Sequence, residues 1–171
     1  GAWIGTNAKP GEEVIITALP LYHIFSLCAN GLVFTRLGGL NWLITNPRDM
    51  PGFVKELKQS GFTALTGVNT LFNGLLNTPG FAELDFSKLH LTLGGGMAVQ
   101  RAVADRWKKV TGCTLAEAYG LTETSPAVCI NPLDIKEYNA SIGLPVPSTD
   151  VAIWSEEGRP LPTGEVGELM E

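Results

Sequence analysis

Five short apolar runs, separated by stretches of helical spacing, constrain the fold of this chain more than any other feature. The runs begin near residues 14, 40, 62, 89 and 114. The first of them, Val14 to Leu19, is rich in β-branched residues, which is typical of a strand buried on both faces. Helices are expected between the runs, over residues 24–37, 51–60, 69–77 and 98–111. This alternation predicts an α/β fold with a mostly parallel sheet of βα units flanked by helices.

The end of the chain has a different composition. Six prolines follow Thr124, and helical periodicity disappears. Residues 151–154 and 166–170 are predicted as strands joined through a turn at Glu157-Gly158. We therefore divide the chain into an α/β unit at 1–136 and the beginning of a small β-rich subdomain at 137–171. Because the last predicted strand runs up to Glu171, the sequence is expected to be a piece of a longer protein.

Charge and composition exclude several classes of function. The formal net charge is −5 and no basic stripe is present, so nucleic acid is not an expected partner. The three cysteines are too widely spaced for a zinc site or a disulfide framework, which suits the reducing cytoplasm. No apolar run reaches the roughly 18 residues of a membrane span, and no signal peptide opens the chain. A cytoplasmic protein is therefore expected, and no basic amphipathic helix argues for binding to a membrane surface.

Four loops with unusual residues follow predicted strands. They are Tyr22-His23, Gly67 to Asn69, Gly94 to Gly96, and Tyr119 to Glu123. The carboxyl ends of parallel strands lie at one edge of a sheet, and open α/β sheets bind their ligands there. The four loops are therefore expected to converge on one ligand site.

Tyr119-Gly120-Leu121-Thr122-Glu123 carries the strongest functional signal. A tyrosine ring offers a stacking surface, and a glycine lets the backbone approach a ligand closely. The Thr122 hydroxyl can donate to a phosphate oxygen, and the Glu123 carboxylate is a hard oxygen ligand suited to Mg²⁺. The competing interpretation is a turn at a strand end, with Thr122 or Thr124 capping a helix. The position at the predicted ligand edge favours a site for ATP with magnesium.

The glycine run and the two histidines give weaker signals. Gly94-Gly95-Gly96, between a strand and a helix, suggests backbone that a ligand touches, because three successive glycines are costly in conformational entropy. The run fails the dinucleotide fingerprint, since the third glycine of that motif would fall on Val99. His23 follows a buried strand, and His90 has no polar neighbour in its strand. The simplest interpretation of each histidine alone is a structural residue.

Six segments of the chain form a recognisable set. They are Ala18-Leu19-Pro20-Leu21-Tyr22-His23, Thr45-Asn46-Pro47-Arg48-Asp49, Thr66-Gly67-Val68-Asn69-Thr70-Leu71-Phe72, Leu93-Gly94-Gly95-Gly96-Met97, Tyr119 to Glu123, and Ser141-Ile142-Gly143-Leu144-Pro145-Val146-Pro147. In this order, and over nearly the whole chain, they resemble the adenylate-forming acyl-activating superfamily. The resemblance is greatest to the bacterial long-chain fatty acid–CoA ligases.

The resemblance implies a role for each residue on the nucleotide side of the site. Tyr119 would stack on adenine, while the backbone of Gly94 to Gly96 would lie along the other side of the ring and line the acyl pocket. Thr122 would contact the phosphates, and Glu123 would hold Mg²⁺. The implied substrates and cofactors are ATP, Mg²⁺, coenzyme A and a long-chain fatty acid.

The resemblance also implies the acyl side of the site and the reaction. His23 would sit where the acyl pocket meets the reaction centre, which reverses its structural interpretation, and Gly120 and Leu121 would approach the acyl carboxylate. The carboxylate attacks the α-phosphate of ATP to give acyl-adenylate and pyrophosphate, and the thiol of coenzyme A then displaces AMP. Catalysis would come from positioning and from neutralising phosphate charge. A fatty acyl substrate would bring the parent protein to the cytoplasmic face of the membrane.

Departures from the family pattern qualify the expected activity. The family's phosphate loop is expected before Gly1, and its ribose motif and lysine-bearing domain are expected after Glu171. Ala118 stands where a glycine is common, which should be tolerated. We therefore expect this 171-residue piece to be inactive in ATP–pyrophosphate exchange without the N- and C-terminal parts of the same chain. Two alternatives stay open: a relative that activates an aryl or medium-chain acid, and a non-catalytic nucleotide-binding scaffold domain.

Overall fold

A seven-stranded sheet dominates the computed structural model, which describes residues 7–171. Its strands are β1 (Val14–Thr17), β2 (Leu40–Leu43), β3 (Ala64–Gly67), β4 (Leu91–Gly94), β5 (Leu115–Tyr119), β6 (Cys129–Ile130) and β7 (Leu144–Pro145). They lie in the order β2-β1-β3-β4-β5-β6-β7. The pairs among β1 to β5 are parallel, whereas β6 and β7 extend the sheet in antiparallel pairs. The predicted parallel α/β sheet is confirmed.

Helices connect the parallel strands. They are α1 (residues 26–36, a π-helical segment Ser26–Leu32 continued by the α-helical turn Val33–Arg36), α2 (Met50–Ser60), α3 (Asn69–Leu76) and α4 (Arg101–Thr111). The ends of α2 show how local sequence sets these bounds. Asp49 Oδ1 accepts the Gly52 N–H at 3.0 Å as an N-cap. Gly61 ends the helix with a left-handed φ of 59°.

Two apolar clusters cover the two faces of the sheet, because successive strand residues point to opposite sides. Leu115 belongs to the larger cluster and its neighbour Ala116 to the smaller. At the centre of the larger cluster, the fully buried Trp107 of α4 meets the Phe72 ring edge-on, with 4.8 Å between centroids. Phe34 of α1 lies in the smaller cluster. Helices α2 to α4 therefore pack on one face and α1 on the other.

Helix α1 is anchored to the sheet through buried polar side chains. Asn30, with no exposed surface, donates to Ile16 O at 3.3 Å and to Thr17 Oγ1 at 3.1 Å. Its Oδ1 accepts the hydroxyl of Thr66 at 2.8 Å. One turn earlier, Ser26 Oγ donates to a backbone carbonyl at 2.9 Å. A helix was predicted here, but its π-helical geometry and polar anchor were not, since apolar spacing carries no information about either.

The end of the described chain forms a second, smaller sheet. Strands β8 (Ala152–Trp154) and β9 (Glu168–Met170) pair antiparallel. The predicted small β-rich ending is confirmed, with each strand shorter than expected. The subdomain boundary between residues 136 and 137 stays a prediction, and β7 beyond it still pairs with the main sheet. No helix within residues 7–171 combines the length and the hydropathy that a membrane crossing requires.

A buried carboxylate joins three strands at their amino ends. Glu13, before β1, lies 3.1 Å from His90 Nε2, before β4. Its other oxygen accepts the Lys9 N–H at 2.6 Å, and the hydroxyl of Thr63, before β3, donates to the carboxylate. The expectation that His90 has no polar neighbour is therefore wrong, because its partner lies 77 residues away in the sequence. A structural role for His90 fits this position, at the edge opposite to the predicted ligand edge.

The contribution of Glu13 to stability should depend on pH. Burial raises the pKa of this carboxyl, but hydrogen bonds from Thr63 and the Lys9 backbone, with His90, outweigh burial and lower the pKa below its ordinary value of 4.5. A lowered folded-state pKa stabilises the fold above the ordinary value, and this stabilisation is lost as pH falls through the lowered one. Glu13→Gln should therefore lower Tm at pH 7, and the gap to wild type should narrow below about pH 4.5. Thermal unfolding between pH 7 and 3 measures the difference in Tm between the variant and wild type. The control is Glu12→Gln, which changes the exposed neighbouring glutamate and should leave Tm close to wild type at each pH. A gap that stays constant with pH would contradict the assignment.

Candidate functional site

A cavity of about 600 Å³ lies between α1 and the carboxyl ends of β4 and β5. Eight of the nine residues predicted for the site line it: His23, Gly95, Gly96, Tyr119, Gly120, Leu121, Thr122 and Glu123. The predicted convergence at the ligand edge therefore holds for three of the four loops. The fourth loop, Gly67 to Asn69, does not line the cavity but contacts the segment that begins with the cavity glycines. Val68 lies 3.5 Å from the position of a Cβ on Gly96, and Asn69 Oδ1 accepts the Gln100 N–H at 2.9 Å.

The three successive glycines serve three different geometric needs. Gly94 is buried at the end of β4 and is absent from the cavity lining, since a Cβ there would fall 2.5 Å from Val99 Cγ2. A Cβ on Gly95 would lie 3.2 Å from the ring of Phe25 in the cavity wall. Gly96 takes a left-handed φ of 75°. Gly95 and Gly96 can therefore face a ligand, whereas Gly94 is required by packing against Val99.

Gly120 makes its close approach to the chain itself. A Cβ at this position would lie 1.7 Å from the carbonyl oxygen of Pro126, because the segment after Glu123 turns back against β5. The Val128 N–H then donates to Tyr119 O at 2.9 Å. The role of Gly120 in approaching a ligand stays a prediction, whereas the structure shows that packing against Pro126 requires a glycine. Local sequence patterns did not predict that residues 124–128 would pack back against β5.

Thr124, rather than Thr122, holds the loop after β5 in place. Its hydroxyl lies 2.9 Å from Leu121 N and 3.0 Å from Leu121 O. No helix follows, so the threonine stabilises a turn and does not cap a helix. Among residues 7–171, neither the Thr122 hydroxyl nor the Glu123 carboxylate finds a hydrogen-bond partner, and both are exposed at the cavity. These two side chains are therefore available to a ligand.

A single carboxylate at this place fits one mode of magnesium binding. Across residues 7–171, no three His, Cys, Asp or Glu side chains group closely enough to hold a metal by themselves. Mg²⁺ is commonly held by one or two carboxylates together with substrate phosphates and waters. Glu123, exposed and without a protein partner beside the Thr122 hydroxyl, fits that mode.

The ring of His23 is oriented by the backbone two residues later in the chain. The Phe25 N–H donates to His23 Nδ1 at 3.2 Å, so Nδ1 is the acceptor and the proton of the neutral ring lies on Nε2. His23 is exposed at the mouth of the cavity. Its Nε2–H is therefore a hydrogen-bond donor that can reach a ligand there.

The interior of the cavity is apolar, and its residues were not predicted. They come from α1 and its start (Ile24, Phe25, Cys28, Ala29, Val33), from β4 and β5 (Leu91, Leu93, Ala118) and from the segment after β5 (Ile130, Leu133). The helical spacing of the first group and the alternation of the second were present in the sequence. Which apolar face borders an open space is decided by packing, and sequence periodicity does not report it.

The thiols differ in their surroundings. Cys113 and Cys129 are buried free thiols, and burial raises the pKa of both. This environment agrees with the plain interpretation of buried structural cysteines. Cys28 is partly exposed and lines the cavity.

Comparison with known proteins identifies the family to which the chain belongs. The AMP-binding enzyme family matches the chain over residues 2–170. The long-chain-fatty-acid–CoA ligase of Escherichia coli O6:H1 is 58% identical over 168 residues, and that of Yersinia pestis is 59% identical over 161 residues. These alignments cover 98% and 94% of this chain but only 30% and 29% of the two relatives, so the chain spans about 30% of their length.

The fold is also found in solved structures. The anthranilate CoA ligase AuaEII in complex with anthranoyl-AMP superposes with a TM-score of 0.83, over 98% of this chain and 33% of that one, at 24% identity. This likeness establishes the fold. The family match and the identity to the two ligases confirm the resemblance inferred from the six sequence segments. The chain belongs to the AMP-binding enzyme family.

Proposed function

We propose that the whole protein is a long-chain fatty acid–CoA ligase, which forms an acyl-adenylate from ATP and then transfers the acyl group to coenzyme A. The observation that carries this proposal is the composition of the cavity. Its interior between α1 and the sheet is apolar, and its mouth presents His23, Thr122 and Glu123. Such an interior suits an acyl chain, and such a mouth suits a nucleotide with its metal. The high identity to ligases of this name over nearly the whole chain supports the same assignment.

On the nucleotide side, we assign adenine to Tyr119 and to the backbone at Gly95 and Gly96. The Thr122 hydroxyl would donate to a phosphate oxygen, and Glu123 would hold Mg²⁺. Bound Mg²⁺ would neutralise charge on the phosphates. The side chains of Thr122 and Glu123 are exposed and lack protein partners among residues 7–171, so their donor and acceptor atoms are available to the ligand.

On the acyl side, we assign the substrate carboxylate to the mouth of the cavity beside His23. The Nε2–H of His23 would donate to a carboxylate oxygen and hold it toward the nucleotide, which is catalysis by positioning. The Leu121 N–H is already used by Thr124 Oγ1. Of the two residues predicted to approach the carboxylate, Gly120 is therefore the one whose backbone we assign to it, and Leu121 lines the cavity beside it.

Replacing the proposed metal ligand should raise the magnesium requirement. In the full-length protein, Glu123→Gln keeps the size of the side chain but removes its charge, so the Mg²⁺ concentration for half-maximal acyl-CoA formation should rise about tenfold or more. Activity measured across a Mg²⁺ titration gives this value. Glu157→Gln changes another exposed glutamate, one that does not line the cavity, and should leave this concentration unchanged. An unchanged Mg²⁺ dependence in Glu123→Gln would remove Glu123 from the metal site.

The acid that is activated separates this proposal from its alternatives. A panel of long-chain, medium-chain and aryl acids, each tested for ATP-dependent CoA ester formation by the full-length protein, should give the highest kcat/KM with a long-chain acid. A preference for an aryl or medium-chain acid would identify a relative with another substrate. A protein that binds ATP but forms no CoA ester from any acid would be a scaffold domain. We place the reaction in the cytoplasm, where the free thiols would stay reduced.

A further inference from the structure

Glu117 is a buried carboxylate that the proposed chemistry does not use. It lies in β5, two residues before Tyr119, and is 6% exposed. An ionised carboxylate in such a place is costly unless hydrogen bonds compensate it. A residue with only a packing role here could be apolar, so the contacts of the carboxylate indicate why it is present.

Both carboxylate oxygens are bound. Oε1 accepts the Val99 N–H at 2.9 Å, and Oε2 lies 3.0 Å from the hydroxyl of Tyr138. The same hydroxyl, whose one proton is shared between the two acceptors, lies 2.6 Å from Val99 O, so the three residues form a closed set around the backbone of Val99. Burial, with the hydrogen bond and charge of Glu117, raises the pKa of Tyr138 to about 12, and the phenol stays a donor at neutral pH.

Val99 ends the loop that carries the cavity glycines. Gly95 and Gly96 line the cavity four and three residues earlier, and the Val99 side chain fills the space beside Gly94. Holding Val99 on both its N–H and its C=O therefore sets where this loop lies. The carboxylate that holds it belongs to the strand that ends in Tyr119.

The backbone of Glu117 reaches the third wall of the site. Its carbonyl oxygen accepts the Asn131 N–H and the Asn131 side-chain amide, each at 3.0 Å. Asn131 is 1% exposed and follows Ile130, which lines the cavity. On the other side, Arg101 holds Tyr138, donating to its carbonyl at 3.2 Å with the guanidinium 5.3 Å from the ring centroid. One residue thus connects the glycine loop, the strand before Tyr119 and the segment after β6.

We propose that Glu117 is a positioning residue, which holds the glycine loop and the Tyr119 loop at the separation that the nucleotide requires. This inference rests on the proposed function, because it assigns adenine to the space between those two loops. It predicts that the acceptor atoms of Glu117 matter for ATP affinity beyond their effect on folding.

The test uses three variants of the full-length protein. Glu117→Gln keeps an acceptor for the Val99 N–H, so KM for ATP should stay within about threefold of wild type. Glu117→Leu keeps the volume and removes the acceptors, so KM for ATP should rise about tenfold or more while kcat changes less. Tyr138→Phe keeps the carboxylate contact and should fall between the two. Thermal unfolding of each variant separates binding from stability.

Hydrogen exchange gives a readout that does not require activity. Amides of residues 95–99 should exchange about tenfold faster in Glu117→Leu than in wild type, and those of Glu117→Gln should not. Equal KM values and equal exchange in Glu117→Leu and wild type would overturn the positioning role. A third outcome combines faster exchange in Glu117→Leu with a wild-type protein that forms no acyl-CoA ester. It would support the positioning of the loop by Glu117 and refute the proposed function. If the Glu117 variants lose Tm and kcat while KM for ATP stays unchanged, Glu117 contributes to folding and not to positioning.

Discussion

Replacing Gly120 by alanine should lower ATP-dependent acyl-CoA formation by the full-length protein at least about 100-fold. The added Cβ would lie 1.7 Å from Pro126 O, 2.7 Å from Pro126 C and 2.9 Å from Ala127 Cα. These are backbone atoms, so no side-chain rotation relieves the overlap, and either the Tyr119 loop or the returning segment must move. Both border the cavity, and a displacement of about 1 Å at a reacting centre costs on the order of 100-fold in rate.

The control for this substitution is Gly31→Ala in α1. A Cβ there would meet its nearest neighbour, Leu21 Cδ2, at 3.7 Å, which is ordinary contact. Gly31 does not line the cavity. Activity and Tm of this variant should stay close to wild type, and both proteins are measured in the same assay. Activity of Gly120→Ala within about threefold of wild type would show that the loop tolerates the displacement and would weaken the assignment of Tyr119, Thr122 and Glu123.

Asn30→Ala should destabilise the fold by about 2–4 kcal/mol. The substitution removes three buried hydrogen bonds and leaves Ile16 O and the hydroxyls of Thr17 and Thr66 with fewer partners. Because α1 forms one wall of the cavity, loosening it should also raise KM for the acyl substrate. Denaturant unfolding measures the first effect and steady-state kinetics the second.

Asn73→Ala is the matched control for Asn30→Ala. Asn73 is an exposed asparagine of α3, whose side chain accepts a local hydrogen bond from Asn77 at 3.2 Å. Surface substitutions of this kind usually change stability by less than about 0.5 kcal/mol. A loss of stability in Asn30→Ala no larger than in Asn73→Ala would mean that the polar anchor of α1 contributes little.

Much of the site could be predicted because its residues are local in sequence and follow strands. Tyr119 to Glu123 lie directly after β5, and Gly95 and Gly96 directly after β4, so a parallel sheet brings them to one edge. His23 reaches the same cavity from the loop before α1. The roles assigned to these residues remain predictions that the variants above would test.

Contacts between distant residues could not be predicted. Glu13 meets His90 across 77 residues, and Glu117 meets Tyr138 across 21, while apolar periodicity reports only which face of an element is buried. Gly94 illustrates the limit within a single motif. It was grouped with two glycines that line the cavity, yet the space beside it is occupied by the side chain of Val99.

The order of apolar runs and turns by itself determined the parallel α/β sheet, its helices and the edge at which a ligand would bind. The reason is physical: strands buried on both faces and crossover helices leave periodic patterns that need no tertiary information. Only the tertiary structure decided which apolar face encloses the cavity, why Gly120 must be glycine, and that Glu117 joins three walls of the site. Each of these depends on which distant backbone atoms come within a few ångströms, and the fold alone sets those distances.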